Sequence, residues 1–179
     1  MYRRTNISTI VKVGVFATDR RTKRSAGVWA GYAAGAWGVA FAAISFYWGI
    51  GGTLGLDTLG GSIESLVQAH DRTLLVAVWV TGFLKILGSL VALALAGNWA
   101  ARLPRRPITV LGWVAATSLT LYGGILIVPE ALVTMGVIRP TQPVDWKALL
   151  WHLYVWDMSF LVWGILFGVA TWHYSRTRS

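Results

Sequence analysis

A few ionisable side chains stand inside the most apolar stretches of this sequence. Lys85 interrupts the run TLLVAVWVTGFLKILGSLVALALAG, and His152 and Asp157 lie within WHLYVWDMSF at 151–160. Charged groups are costly in hydrocarbon, and they persist there when they pair with one another or line a functional cavity. These residues are therefore the candidates for chemistry, and their role depends on the helices that carry them.

The composition indicates an integral membrane protein. Of the 179 residues, 55% are hydrophobic and 13% are charged, whereas a soluble domain carries roughly a quarter charged residues. Four apolar segments reach the about 20 residues that a membrane-spanning helix requires. They lie near 26–50, 73–97, 108–135 and 148–172. We expect an all-α fold, an integral membrane four-helix bundle, with one transmembrane domain over 26–173.

The basic residues predict the orientation of this bundle. Lys and Arg accumulate in the N-terminal arm 1–25, in the loop around 102–106 and in the tail 174–179. Because cytoplasmic loops carry an excess of Lys and Arg, we expect both termini to be cytoplasmic, in a multi-pass protein of the bacterial cytoplasmic membrane. The expected partners of the basic face are anionic lipid headgroups and not nucleic acid. A transport path through only four spans would require a homo-oligomer.

Lys85 and Asp157 are predicted to form an intramembrane ion pair. Lys85 lies 13 residues after Arg72, which is about 20 Å into the second span, and it shares its helix face with small residues. Asp157 shares a face with Gly164 and Gly168, a spacing that favours close helix packing. Both side chains are therefore expected to face the bundle at similar depths, where pairing is the least costly arrangement.

A second group of polar residues is predicted at the outer ends of the spans. We expect an outward-facing polar pocket there, lined by His70, Asp71, Glu130 and His152. On a regular α-helix His152 stands about 140° around the axis from Asp157. The two side chains are therefore expected on different faces of the fourth span, with His152 the better candidate for chemistry.

The predicted polar residues include possible ligands for a haem and for a metal ion. His70 and His152 could ligate one haem, and together with Glu130 they offer suitable metal ligands. No compact ligand spacing supports the metal site, and we expect no metal and no cofactor. The chain has no Cys, which excludes thiolate zinc sites and cysteine-ligated iron–sulfur clusters, and it contains no HExxH, P-loop or nucleophile elbow.

The leading interpretation of function is non-enzymatic. We expect a membrane protein that binds a small ligand, an ion or a partner through the outer pocket, for instance as a transporter component. One alternative is a membrane enzyme or a haem- or metal-dependent electron carrier that uses His70, His152 and Glu130. A second alternative is a structural accessory subunit of a membrane complex.

Three segments carry a resemblance to a known family. They are SFYWGIGGTLGLDTLG at 45–60, TLYGGILIVPEALVTMGVI at 120–138 and VDWKALLWHLYVWDMSFLVWGILFG at 144–168. Over about residues 30–172 the sequence resembles the DUF3995 family, small multipass bacterial membrane proteins of unknown function. The resemblance implies four spans, and it implies no activity and no catalytic residue.

Overall fold

The computed structural model describes residues 7–60, 71–97 and 103–177, and within these ranges it describes side chains from 26 to 176. The described chain is helical and contains no strand. The helices are α1 (Ile7–Gly49), α2 (Arg72–Ala96), α3 (Arg105–Thr134), α4 (Trp146–Trp151) and α5 (Asp157–Thr177). A π-helical turn at His152–Trp156 joins α4 to α5, and a 3₁₀ turn at Leu56–Thr58 follows α1.

Four of the described segments are long and apolar enough to cross a membrane. They are Ala26–Gly49, Arg72–Ala96, Arg105–Thr134 and Trp146–Arg176. This confirms the predicted all-α fold with four membrane-compatible helices. The first helix extends beyond its apolar part, because α1 begins at Ile7, so the described part of the basic arm continues the first span as helix.

Glycines bring α3 and α5 into backbone contact. A Cβ atom placed on Gly123 would lie 2.6 Å from the backbone nitrogen of Leu161, and one placed on Gly164 would lie 2.6 Å from the backbone nitrogen of Thr120. No larger residue fits at either position without moving the two backbones apart. The small-residue face predicted for the fourth span therefore packs on α3.

The helices are paired unevenly around the bundle. α1 packs extensively on α2 and also on α5, and α3 packs extensively on α5, whereas α2 and α3 touch each other little. The indole nitrogen of buried Trp163 donates a hydrogen bond of 2.9 Å to the carbonyl of Ala34, which fixes α5 against α1. One consequence is an open seam between α2 and α3.

Residues 50–60 fold over one end of the bundle, which we call the loop end. Gly55 (φ 80°) and Gly60 (φ 92°) adopt the left-handed conformation on either side of the 3₁₀ turn, and they allow Leu56 and Thr58 to turn inward and become buried. Trp156 Nε1 donates a 3.1 Å hydrogen bond to Thr58 Oγ1. The loop is thereby attached to the π-helical turn.

An exposed ion pair between Lys147 and Asp57 also attaches the loop to α4. The hydrogen bond from the Lys147 ammonium, together with its charge, holds the pKa of the Asp57 carboxyl below its usual value. The contribution of this pair to loop docking is thus present at neutral pH and lost as the pH falls through the lowered pKa.

The opposite end of the bundle is basic. Arg105 Nη2 donates hydrogen bonds to the carbonyl oxygens of Tyr174 and Ser175, at 3.3 and 3.0 Å, near the C-terminus of α5. The Arg176 guanidinium lies 4.0 Å from the centroid of the Trp172 ring. Cations at this position complement the unpaired carbonyls of a helix C-terminus.

Candidate functional site

The predicted ion pair between Lys85 and Asp157 is not formed in the structure. Lys85 Nζ donates a 2.6 Å hydrogen bond to Ser45 Oγ of α1, while Asp157 Oδ2 lies 3.2 Å from His152 Nδ1. The helix pairing explains the difference. Lys85 is carried by α2 and turns toward α1, whereas Asp157 lies where α5 packs on α3.

His152 and Asp157 share one face of the fourth span, contrary to the expectation for a regular α-helix. The Asp157 backbone N–H donates to the carbonyl of His152, five residues earlier, which is the hydrogen bond of a π-helix. A π-helical turn holds one more residue than an α-helical turn, so side chains five apart stand above one another. The predicted separation of about 140° fails because it assumed unbroken α-helix.

Glu130 of α3 completes a cluster with these two residues. The ligating atoms of Glu130, His152 and Asp157 all lie within 4.8 Å of one another, and we call the three residues the carboxylate–histidine cluster. Gly123 positions them, because its lack of a side chain lets α3 approach the backbone of Asp157. Glu130 follows Gly123 by seven residues on the same helix face.

The cluster is largely withdrawn from solvent. Asp157 is 3% exposed, and Glu130 and His152 are partly buried. The Oε2 atom of Glu130 is buried and receives no hydrogen bond from a donor group in the described part of the chain, although the carboxyl groups of Glu130 and Asp157 are close enough to share a proton. A buried polar atom without a partner is costly, and here it belongs to a side chain that faces two other potential ligands.

The loop orients the histidine. His152 Nε2 lies 3.4 Å from the carbonyl oxygen of Leu59, and Nδ1 lies 3.2 Å from Asp157 Oδ2. Both oxygens are acceptors, so a neutral imidazole can donate to only one of them. A cation bound at Nδ1 would take the place of a proton on that nitrogen and leave the Nε2–H group to donate to Leu59. Metal-ligating histidines have this arrangement, with the second ring nitrogen donating to a carbonyl or carboxylate.

Two residues of the predicted pocket stand apart from this cluster. Asp71 is the N-cap of α2, and its Oδ1 atom accepts a 3.0 Å hydrogen bond from the backbone nitrogen of Leu74. Its carboxylate is thus bound to the N-terminus of α2. The sequence itself indicates this role, because Asp is a preferred residue at the N-cap position of a helix. His70 lies outside the described residues.

Substitutions of Asp71 distinguish its role as the N-cap of α2 from a role of its charge in the predicted pocket. Asp71→Ala should lower the free energy of unfolding by about 1 kcal/mol, the usual cost of losing an N-cap, while Asp71→Ser keeps a capping oxygen and should cost less. Denaturation in mixed detergent micelles measures both. Equal destabilisation by the two variants would mean that the charge of Asp71 matters more than its cap.

The chemistry of the cluster follows from its charges. Two carboxyl groups at this separation, away from bulk water, cannot both remain ionised without a compensating charge. A proton held within the cluster, on a carboxyl group or on His152, or a bound cation supplies it. The ligand atoms are oxygen, nitrogen and oxygen, a combination that zinc and other divalent transition metals accept.

These features define a small multi-span helical membrane protein with a partly buried carboxylate–histidine cluster near one end of its bundle. Residues 38–167 match the model of the family described as Protein of unknown function (DUF3995). The chain belongs to this family, as its sequence resemblance predicts, and the matched region contains the cluster and the loop that covers it. No curated protein and no solved structure shows significant similarity to the chain.

Proposed function

We propose that this protein binds one divalent transition-metal cation through Glu130, His152 and Asp157. The observation that carries the proposal is the convergence of two carboxyl groups and one imidazole, with the buried Glu130 Oε2 receiving no hydrogen bond from a donor group among the described residues. A cation at their centre supplies the charge that the carboxylates need and a partner for this oxygen.

The geometry is compatible with zinc-like coordination. Ligands about 2.1 Å from a tetrahedral metal are separated from one another by about 3.4 Å. The 3.2 Å between His152 Nδ1 and Asp157 Oδ2 is already close to that separation. The three ligand atoms all lie within 4.8 Å of one another. Binding of a metal therefore requires only a small movement of the Glu130 side chain.

The proposed setting is the outer face of a bacterial cytoplasmic membrane, with both termini in the cytoplasm. Support comes from the distribution of charge, because Arg105 and Arg176 lie at the basic end, and the cluster lies toward the loop end. Under the positive-inside rule the basic end faces the cytoplasm, so the cluster takes its cation from outside. A cation-binding component of a transport system is the role that best fits this position.

A second candidate function is a metal-dependent membrane enzyme. Three protein ligands leave one coordination position for water or substrate, as in catalytic zinc sites. Haem ligation is less well supported, since both ring nitrogens of His152 face oxygen atoms, one of Asp157 and one of Leu59. Hydrolytic activity that appears only with bound metal would favour the enzyme over the transport component.

Metal titration of the purified protein tests the proposal. Protein stripped by chelation in detergent should bind about one Zn²⁺ or Mn²⁺ per chain, measured by elemental analysis after dialysis and by calorimetry. Glu130→Gln, His152→Gln and Asp157→Asn should each weaken binding by at least about tenfold, because even outer-shell substitutions cost about 10–100-fold in metal affinity.

Asp145→Asn is the matched control. It removes a carboxylate from the same end of the bundle, but that carboxylate is exposed and caps α4 by accepting from the backbone nitrogen of Ala148. Asn keeps the capping oxygen, so metal affinity should not change. Circular dichroism and melting without metal verify that each variant is folded. If the folded parent protein binds neither ion at millimolar concentration, a proton held within the cluster compensates the carboxylates and the proposal is wrong.

A further inference from the structure

The seam between α2 and α3 opens into a cavity that the cation site does not use. It has a volume of about 920 Å³ and is lined mainly by apolar side chains of α2 and α3, with Phe160, Trp163 and Phe167 of α5 as its floor. Ligand pockets usually measure about 300–1,000 Å³ and combine an apolar lining with a few polar groups. This cavity has both properties.

The polar groups of the cavity are concentrated at one end. Thr81 and Lys85 of α2 and Ser118 and Tyr122 of α3 line the half nearer the loop end. Toward the basic end the lining is apolar and includes Leu87, Leu90, Val91, Leu111 and Val114. A cavity that is polar at one end and apolar along the rest fits an elongated amphipathic molecule.

Lys85 determines the charge that this molecule should carry. Its Nζ atom donates to Ser45 Oγ at 2.6 Å and lies 5.8 Å from the centroid of the Phe41 ring. Neither group carries a negative charge, and no ion pair joins Lys85 to an acidic side chain in the described ranges. An ammonium group within a span is costly without a counter-charge. A ligand with an acidic group would provide one.

The depth of Lys85 restricts the kind of acid. Lys85 lies about 20 Å of helix from Arg72, near the middle of a hydrocarbon core about 30 Å thick. The phosphate of a membrane phospholipid remains at the surface and does not reach this depth. The carboxyl group of a free long-chain acid is small enough to enter the cavity, and its chain can lie along the apolar half.

We propose that the cavity between α2 and α3 binds a long-chain carboxylic acid, with the carboxylate on Lys85 and the acyl chain against the apolar half of the cavity. The molecule enters laterally from the bilayer through the seam that α2 and α3 leave open. This binding site is distinct from the proposed cation site, because it shares no residue with the carboxylate–histidine cluster.

Photolabelling in lipid nanodiscs tests this proposal with a defined probe. A palmitic acid that carries a diazirine on its chain should label peptides of α2 and α3, and oleic acid should suppress the labelling at much lower concentration than methyl oleate. Lys85→Met should reduce labelling by the acid at least about tenfold, while Lys85→Arg retains most of it because the charge is kept.

Two further variants sharpen the test. Gly88→Leu places a side chain in the cavity, where a Cβ would meet Trp163 at an ordinary 3.4 Å, and should block labelling in a folded protein. Lys147→Met removes a lysine at the loop end and should have no effect. Circular dichroism checks the folding of each variant, and Lys85→Arg keeps the charge test valid if Lys85→Met does not fold.

Two results would overturn the proposal. Equal labelling by the acid and its methyl ester, unaffected by Lys85→Met, would show that bulk lipid fills the cavity without recognition of charge. Because the chain has no native Cys, Leu87→Cys provides a single thiol at the cavity. Near-complete disulfide crosslinking of this variant in membranes would show that a second copy of the chain covers the seam.

Discussion

Replacing Gly123 with Ala should strongly destabilise the protein, whereas the same replacement at the adjacent Gly124 should be tolerated. A Cβ on Gly123 would lie 2.6 Å from Leu161 N and 2.7 Å from Asp157 O. Since these are backbone atoms, only separation of α3 from α5 relieves the clash. We expect a loss of about 3 kcal/mol of unfolding free energy, the upper end of the usual range for overpacking, measured by denaturant titration in mixed micelles.

Gly124→Ala is the control, because a Cβ at Gly124 meets nothing within 4 Å. Ala is favoured over Gly in helices by about 1 kcal/mol, so this variant should be neutral or slightly more stable. Gly123→Ala should also weaken cation binding, since it moves Asp157 away from Glu130. Equal stability of the two variants would show that the close contact between α3 and α5 is not required for folding.

Deleting Tyr154 should leave the protein folded and able to bind its cation, although the deletion lies between two proposed ligands. Tyr154 is 64% exposed and belongs to the π-helical turn, which holds one residue more than an α-helical turn. Without it the segment can form regular α-helix, in which His152 and Asp157 become neighbours at i and i+4. We expect cation affinity within about threefold of the parent protein, measured by calorimetry.

Deleting Ile165 should have the opposite result. Ile165 is also exposed, at 52%, but it lies within the regular helix α5. Its loss rotates every later residue by about 100°, which turns buried Phe167 and Thr171 out of the core, and folded protein should not be recovered. A folded Tyr154 deletion that no longer binds metal would show that the site requires the π-helical geometry itself.

The number and length of the spans could be predicted because hydrocarbon imposes a simple requirement on sequence. A helix that crosses it needs about 20 apolar residues, and small residues at regular spacing mark where helices touch. The face of Gly164 and Gly168 is of this kind. Local sequence is sufficient for such features, because each depends on one helix and on its immediate solvent.

The partner of Lys85 could not be predicted in this way. Similar depth in two spans is necessary for an ion pair, but it does not determine which helices are adjacent. In the structure α2 packs on α1 and makes little contact with α5, which carries Asp157, so Lys85 binds Ser45. The order of helices around a bundle depends on all the interfaces together, and a single span does not encode it.

Only part of the carboxylate–histidine cluster could be predicted from the sequence. Glu130 and His152 are predicted to share a pocket, because both stand near the same ends of their spans, and the structure brings their side chains together. Asp157 is predicted on another face because a constant 100° per residue is assumed. No motif in WHLYVWD signals the π-helical turn, although π-bulges occur frequently at functional sites.

The pairing of helices has a consequence for how the protein responds to its two proposed ligands. Glu130, His152 and Asp157 all belong to the half of the bundle formed by α3 with the fourth span, and the seam lies between that half and α2. Because the seam is already open and Trp163 holds α5 on α1, an acyl chain can enter it without moving the helices that carry the cluster. We therefore expect the cation and the fatty acid to bind at the same time, since the two proposed sites have no ligating residue in common.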